Sequence, residues 1–184
     1  MSIPTLITKR LRLEPLEPRH GRVVEAYARL WEVARYTAEV PHPYPPGGAI
    51  AFAEAAVLDR RHGGGQMWAV VEIESDDVIG SIGLDLFEDR RAAELGYIFA
   101  PWRWGRGYAT EAARAVIDCA FGELGLDVVH SHAAVINPAS CRVLAKSGLR
   151  RIGNVAFAVL PERGGAMIGE CYRLTWREWQ DARR

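Results

Sequence analysis

The sequence lacks the features that mark membrane-spanning, secreted or disulfide-bonded proteins. No uninterrupted apolar run approaches the roughly 20 residues that a helix needs to span a bilayer. The N-terminal stretch MSIPTLITKRLRLEPL contains no apolar signal-peptide core. Only three cysteines occur, Cys119, Cys141 and Cys171, far apart and without a CxxC pair, so neither a disulfide framework nor a zinc knuckle is expected. These absences predict a reduced, cytoplasmic protein without a metal site.

The charge composition shows no excess of either sign. Lys plus Arg and Asp plus Glu both number 23, whereas a protein that neutralises phosphates usually shows a clear basic excess. We therefore expect neither nucleic acid nor a membrane surface as a partner. With 184 residues, 49% of them hydrophobic and 25% charged, residues 1–184 are predicted to form a single domain with an ordinary core.

The N-terminal third predicts one strand and two helices. Residues 6–16 alternate apolar and polar side chains, which predicts a strand. Pro18 suits the first turn of a helix over residues 19–30. Four prolines in residues 41–48 remove amide donors, so that stretch is predicted to be a loop. Residues 49–62 then have the pattern of a second helix.

The middle of the chain is rich in strand signals. Residues 67–73 and 78–87 flank the turn 74–77 and predict a hairpin. Residues 93–99 form a third strand pattern. The strongest amphipathic signal follows at 107–124, where apolar side chains recur at helical spacing.

The remaining sequence predicts a strand at 128–135, a helix at 138–147 and two strands at 149–160 and 166–176. Both connections between residues 93 and 160 therefore have a βαβ pattern. The fold class expected from this order is α+β, a three-layer arrangement with a mixed central sheet and helices on both faces.

A glycine-rich turn between a strand and the longest helix is the strongest functional signal. Gly105 and Gly107 allow the backbone to approach a ligand without obstruction by a Cβ. The helix start leaves unpaired amides and a partial positive charge, which suits a phosphate or pyrophosphate. The short side chains of Ala109 and Thr110 keep the approach open.

Two common phosphate motifs do not fit this turn. A Walker loop requires GK[ST], and the turn offers Gly107 followed by Tyr108 and Ala109. A Rossmann fingerprint requires a third glycine, where this chain has Thr110, and an acid after the next strand, whereas Asp127 precedes it. A nucleotide-dependent enzyme is therefore the weaker alternative.

Residues 102–107 (WRWGRG) resemble the coenzyme A loop Q/R-x-x-G-x-G/A of the GNAT superfamily of N-acetyltransferases. The runs WGRGYATEA and TKRLRL are similar to its RimJ/RimL-type branch. Residues 137–149 (NPASCRVLAKSGL) are similar to that branch's N-x-x-S-x-x-v-l-x-K-x-G-F helix. The predicted order of strands and helices matches the family along nearly the whole chain. The resemblance implies a GNAT-like, mostly antiparallel sheet and acetyl-CoA as co-substrate.

The resemblance also implies a set of coenzyme-binding residues. Two neighbouring strands splay apart in the family, and the freed backbone pairs with pantetheine. Transferred to this chain, the coenzyme site comprises Tyr97, Ile98, Phe99, Trp104, Gly105, Arg106, Gly107, Tyr108, Ala109, Thr110, Asn137 and Ser140. Two positions depart from the family pattern: Trp102 replaces Gln or Arg at the first loop position, and Leu144 replaces a tyrosine that acts as general acid.

The implied chemistry is direct attack of an amine on the thioester, without a covalent enzyme intermediate. Ser140, with Asn137 three residues before it, is the candidate to assist the leaving thiolate, and Glu94 is the candidate base, directly or through water. Ser140 and Asn137 also suit ordinary helix-cap roles. His130 and His132 share one strand face, but without a third ligand a metal site is not favoured.

The acceptor and the assembly stay open at this stage. Preparing a neutral lysine amine at neutral pH costs roughly 3 kcal/mol more than preparing a neutral α-amine. Without a strong base in the sequence, a peptide N-terminus or a small amine is favoured as acceptor. The alternative is a coenzyme-A-binding sensor or accessory module without turnover. Both a monomer and a homodimer are compatible with the sequence.

Overall fold

A computed structural model describes residues 3–161 and 164–184 of the chain. The strands are β1 (Leu6–Ile7), β2 (Leu11–Pro15), β3 (Gln66–Glu72), β4 (Val78–Leu86), β5 (Ala92–Phe99), β6 (Val128–Ala134), β7 (Arg150–Ala158) and β8 (Ala166–Thr175). The helices are α1 (Gly21–Ala28), α2 (Trp31–Ala34), α3 (Gly48–Arg61), α4 (Tyr108–Gly122), α5 (Pro138–Lys146) and α6 (Trp176–Asp181). Short 3-10 turns at Pro18–His20 and Pro101–Arg103 precede α1 and α4.

The strands form one sheet in the order β1-β2-β3-β4-β5-β6-β8-β7. Every neighbouring pair is antiparallel except β5 and β6, which are parallel. The mixed, mostly antiparallel sheet expected from the sequence is therefore confirmed. The parallel pair in its centre requires a crossover, and α4 supplies it.

The predicted strand over residues 6–16 is interrupted. It consists of β1 and β2, an antiparallel pair in which Leu6 lies opposite Leu13. Between them Thr8 and Arg10 leave the sheet, because the Thr8 hydroxyl and the Arg10 backbone amide both donate to Oε1 of Glu111 on α4, at 2.7 and 2.9 Å. The residues in this contact are 101 or more positions apart, so the alternation of apolar and polar side chains in residues 6–16 could not predict it.

The second βαβ-like connection skips a strand position. β5, α4 and β6 form a parallel crossover, as expected. After α5, however, β7 takes the edge of the sheet, and β8 is inserted antiparallel between β6 and β7. Periodicity predicts the strands themselves, but the order in which they pair depends on which apolar faces the helices cover.

Apolar side chains pack on both faces of the sheet. On one face Trp68, Ile82 and Leu95 pack in the same cluster as Val116 and Ile117 of α4. On the other face a smaller cluster joins Leu16, Tyr27 and Ala28 to Ala53 of α3, with Ala69 of β3 below them. The three-layer arrangement with helices on both faces is thus confirmed. Burying each large apolar side chain stabilises the fold by about 1.5–3 kcal/mol.

Two short helices were not expected from the sequence. α2 spans four residues and α6 six, which is too short for a helical period to emerge from the pattern. α6 begins with a capping box, in which Thr175 accepts from the amide of Glu178 and Glu178 accepts from the amide of Thr175. Within the described residues, no helix has the length and apolarity that crossing a bilayer requires.

Candidate functional site

The central parallel strands separate soon after they start. β5 and β6 pair only from Ala92 with Val128 to Glu94 with His130. One further contact follows, in which the buried Ser131 hydroxyl donates to the Leu95 carbonyl at 2.7 Å. Beyond this point the two strands diverge, and a gap opens in the middle of the sheet.

The backbone of β5 borders this gap at alternate residues. The Leu95 carbonyl faces β6, so the backbone groups of Tyr97 and Phe99 point to the same side. The Phe99 carbonyl accepts from the Trp104 indole at 2.8 Å. The gap is therefore lined by both backbone groups of Tyr97 and by the Phe99 amide. The backbone groups of Ile98 point the other way, toward Ser81 of β4, since the Ala100 amide two residues on donates to the Ile79 carbonyl of β4.

The glycine-rich turn adopts the conformation that its sequence predicts. Gly105 and Gly107 have φ values of 75° and 82°, in the left-handed region that favours glycine. Gly107 is the N-cap of α4, and no side chain caps the helix. A Cβ placed on Gly105 would meet no atom within 4 Å. The first-turn amides of Tyr108, Ala109 and Thr110 thus end at an unobstructed backbone surface.

Arg10 braces this loop from the far edge of the sheet. Its guanidinium donates to the Arg106 carbonyl at 3.0 Å and to Oε2 of Glu111 at 2.7 Å. It also lies over the Tyr108 ring, 4.5 Å from its centroid. The Arg106 side chain is exposed. Arg10 therefore fixes the loop backbone next to Gly107. Trp102, at the first loop position, is 55% exposed.

A buried carboxylate holds the other side of the loop. Glu72 at the end of β3 accepts hydrogen bonds from the Tyr108 and Ser75 hydroxyls and pairs with Arg103 at 2.7 Å. Arg103 also pairs with Asp77 at 2.7 Å, so its guanidinium bridges two carboxylates. The expected phosphate contact of Tyr108 is restricted to its backbone. The hydrogen bonds from Tyr108 and Ser75 lower the pKa of Glu72.

The start of α5 faces Tyr97 across the gap. Asn137 accepts from the Ser140 amide at 3.1 Å and caps the helix, as one of the two sequence interpretations expects. The Ser140 Oγ lies 2.8 Å from the Tyr97 hydroxyl. Leu144, where the family has a tyrosine, is fully buried. Burial raises the pKa of Tyr97, which keeps the phenol protonated. This side-chain contact of Tyr97 has no local signal in the sequence, which predicts only a backbone contribution from that residue.

Glu94 lies on the opposite face of the sheet, beside His132, one of the two histidines that share a face of β6. Oε1 of Glu94 is 2.5 Å from Nδ1 of His132 on β6. The His132 ring packs against Phe157, with centroids 4.3 Å apart. Gly96, two residues beyond Glu94 on the same face, is exposed, and a Cβ placed there would meet nothing within 4 Å. A pair of titratable groups thus borders open space at the gap.

The same face carries a concentration of negative charge. Asp85 of β4 lies directly opposite Glu94 in the sheet register. Partial desolvation, together with the negative charges of Glu94, Glu39 and Asp59, raises the pKa of Asp85. Burial and the positive charge of Arg173 lower the pKa of His130, while Glu94 opposes them. A cationic group entering here is attracted by the carboxylates.

The segment between α2 and α3 crosses this face. α1 and α3 pack beside β4 and β3, while the Leu160 amide, just beyond β7, donates to the Ala38 carbonyl at 3.2 Å. Since these anchor points lie on opposite sides of β5 and β6, the segment spans the Glu94 side of the gap. The glycine-rich turn and the Glu94 pair therefore approach the gap from different faces.

No metal centre emerges among residues 3–161 and 164–184, where no three His, Cys, Asp or Glu side chains are grouped as ligands for an ion. The loop and the gap together offer backbone donors that suit a phosphorylated carrier. Hydroxyl groups border the gap on one face of the sheet, and carboxylate groups border it on the other. This arrangement suits transfer of a group carried by a coenzyme.

Comparisons with known proteins point to one family. Residues 10–150 match the family model described as an acetyltransferase (GNAT) domain. The uncharacterised N-acetyltransferase YoaA of Bacillus subtilis is 28% identical over 151 residues, which cover 82% of this chain and 85% of that protein.

Solved structures share the fold at lower identity. The ribosomal-protein-S5-alanine acetyltransferase of Vibrio fischeri superposes with a TM-score of 0.81 at 16% identity, covering 96% of this chain and 99% of that one. The spermidine N-acetyltransferase of Vibrio cholerae, solved in complex with CoA and spermine, has a TM-score of 0.78 at 20% identity, covering 94% and 99%. With the family match over most of its length, the chain belongs to the GNAT acetyltransferase family.

Proposed function

We propose that the protein is an N-acetyltransferase that moves an acetyl group from acetyl-CoA to a primary amine by direct attack, as a member of the RimJ/RimL-type branch. The observation that carries this proposal is the gap between β5 and β6 beside the uncapped start of α4. One element supplies free backbone for an extended carrier, and the other supplies amides for its pyrophosphate.

The donor is held by backbone rather than by charged side chains. Gly105, Gly107 and the amides of Tyr108 to Thr110 receive the pyrophosphate, while Arg10 and Glu72 keep the loop in place. Pantetheine extends along Tyr97 and Phe99 in the gap. Backbone amides in this position also face the carbonyl oxygen on which negative charge develops during attack.

The leaving thiolate is served by the hydroxyl pair of Tyr97 and Ser140. A thiol has an ordinary pKa of about 8.5, so the departing sulfur needs only a modest proton donor. The two hydroxyls, 2.8 Å apart, provide one from the α5 side of the gap. This pair takes the place of the tyrosine that the family has at the position of Leu144, and it favours turnover over a sensor without catalysis.

The acceptor enters from the Glu94 face. Asp85, Glu94 and the nearby Glu39 and Asp59 attract a cationic amine to this side. The two named neighbours acetylate different amines, a ribosomal-protein alanine in one case and spermidine in the other. A peptide N-terminus and a small-molecule amine are accordingly the two acceptor classes for this chain.

The decisive experiment is steady-state thiol release from acetyl-CoA with three acceptors: an alanine-initiated peptide, spermidine and an aminoglycoside. Turnover with one of them, accompanied by an acetylated product in the mass spectrum, is the expected result. Calorimetry with CoA runs in parallel. Tight CoA binding without release for any acceptor would support the sensor alternative, and absence of CoA binding would remove the donor site itself.

A further inference from the structure

We propose that His132 is the catalytic base that deprotonates the amine and that Glu94 is its positioning residue. This inference rests on the proposed function and deepens it, because it reassigns the proton acceptor from the carboxylate to the imidazole. The observation behind it is the contact between Nδ1 of His132 and Oε1 of Glu94, at 2.5 Å.

The contact fixes which ring nitrogen receives the substrate proton. A carboxylate only accepts hydrogen bonds, so Nδ1 of His132 carries the hydrogen that points at Glu94. In the neutral ring Nε2 is then the acceptor, ready to take a proton from an ammonium group. Glu94 holds this tautomer and stabilises the imidazolium that forms, which is how a buried carboxylate serves a catalytic histidine in hydrolases.

The pair lies where an acceptor has room. Glu94 is the last β5 residue paired with β6, so the gap begins immediately after it. Gly96 follows on the same face with open space above it, and Phe157 closes the side of the His132 ring at 4.3 Å. The His132 and Glu94 side chains are 26% and 35% exposed, so both are accessible to a substrate.

Other charged groups on this face are compatible with a neutral imidazole that gains a proton. Asp85 of β4 adds negative charge beyond Glu94, whereas Arg173 of β8 and His130 of β6 lie one row further from the gap. Cys171 is the β8 neighbour of His132 in the register, and β7 contributes the uncharged Phe157. Of these charged groups, Glu94 is thus the one in direct contact with the ring.

The proton balance is complete without another reactant. The substrate ammonium gives one proton to Nε2 of His132, and the neutral amine attacks the thioester carbonyl carbon. A C–N bond forms, the C–S bond breaks, and a second amine proton reaches the thiolate through the Tyr97 and Ser140 hydroxyls. His132 then releases its proton to solvent. The products are the amide, free coenzyme A and one proton.

Nitrogen NMR of the uniformly 15N-labelled protein tests the positioning half of the proposal without requiring turnover. In the neutral imidazole of His132, the expected signals are those of a protonated Nδ1 and an unprotonated Nε2. Glu94→Gln should reduce the preference for this tautomer, since an amide no longer demands a hydrogen at Nδ1. A protonated Nε2 in the unmodified protein would overturn the proposal.

Kinetics with the acceptor that turns over tests the catalytic half. His132→Gln should lower kcat/KM for the amine by roughly 10²- to 10⁴-fold while leaving CoA affinity unchanged. Glu94→Gln should cost less, because the imidazole stays in place and loses only the carboxylate that orients it. A larger loss for Glu94→Gln than for His132→Gln would return the role of base to Glu94.

A weakly basic acceptor separates proton removal from a merely structural role. 2,2,2-Trifluoroethylamine is largely neutral at the assay pH, so His132→Gln should impair its acetylation much less than that of ethylamine. Equal losses for both amines would contradict the proposal. If the unmodified protein released no thiol with any amine, the proposed function would fail, whereas the tautomer measurement would still decide whether Glu94 positions His132.

Discussion

The Tyr97 hydroxyl lies 2.8 Å from Ser140 Oγ, although the two residues are 43 positions apart in the chain. Tyr97 reaches from β5 across the gap, and Ser140 is held in the first turn of α5 by the Asn137 cap. The side chain at position 144 is a buried leucine, so the hydroxyl nearest to Ser140 is supplied by a strand.

This relationship predicts a coupled loss of catalysis. Ser140→Ala and Tyr97→Phe should each lower kcat by on the order of 10²-fold, because each removes one hydroxyl from the path to the thiolate. CoA affinity should change little. The double variant should lose less than the product of the two single losses, since both act on one proton transfer.

Thiol-release kinetics and CoA calorimetry on the four proteins check the coupling. Ser147→Ala is the matched control, because Ser147 lies at the other end of α5 and its hydroxyl bonds within the helix to the Val143 carbonyl. A wild-type rate in Ser140→Ala would leave Ser140 with the role of a helix first-turn residue alone.

A carboxylate at position 107 should abolish coenzyme binding. Gly107→Glu places a negative charge at the start of α4, and a like charge about 4 Å away costs up to about 4 kcal/mol near a protein surface. CoA affinity measured by calorimetry should therefore fall by at least roughly 100-fold. The one atom that a Cβ at position 107 meets within 4 Å belongs to Arg10, at 3.6 Å, so the fold should persist.

Gly125→Glu is the control for the strain and charge of that change. Gly125 also has a positive φ, 67°, and a Cβ there meets nothing within 4 Å, but it lies beyond the opposite end of α4. It should bind CoA like the unmodified protein. Unchanged affinity in Gly107→Glu would remove the proposed pyrophosphate site.

Filling the open space above Gly96 should block the acceptor and spare the donor. The side chain of Gly96→Val enters the face that carries Glu94 and His132, where the present residue leaves room. A steric conflict of about 1.4 kcal/mol is tenfold in affinity, so KM for the amine should rise at least roughly tenfold.

CoA affinity in Gly96→Val should stay within about twofold of the unmodified protein. The exposed edge-strand change Ala156→Val serves as control, because it adds similar bulk to β7 away from the gap. An unchanged amine KM in Gly96→Val would place acceptor entry elsewhere.

The buried Glu72 predicts a pH-dependent contribution to stability. Hydrogen bonds from Tyr108 and Ser75 lower its pKa, so its contribution is fully present above the ordinary glutamate value of about 4.3 and is lost as pH falls through the lowered folded value. Glu72→Gln should lose roughly 1–3 kcal/mol of unfolding free energy at neutral pH. The difference from the unmodified protein should shrink on acidification.

Chemical denaturation between about pH 7 and about pH 3 measures this difference. Glu74→Gln is the matched control, because Glu74 is an exposed glutamate in the turn that follows Glu72. A constant difference between the unmodified protein and Glu72→Gln across this range would show that the carboxylate contributes by shape and not by charge.

The glycine-rich loop and its helix could be predicted from the sequence because their determinants are local. Gly105 and Gly107 have the positive φ values that their residue type favours, and α4 starts one residue after Gly107. The same holds for the Asn137 cap of α5. In each case a few adjacent residues carry the geometry, so spacing along the chain is sufficient.

Only the tertiary structure decided which distant side chains meet. In the sequence, His130 and His132 share one strand face, a pattern that fits several roles. The pairing of β5 with β6 brings Glu94 to 2.5 Å from His132 and so identifies its partner. Tyr97 and Ser140, like Arg10 and the loop, meet because α4 and α5 cover one face of the sheet. Such contacts depend on strand order and register, which are set by packing of the whole core and leave no local trace in the sequence.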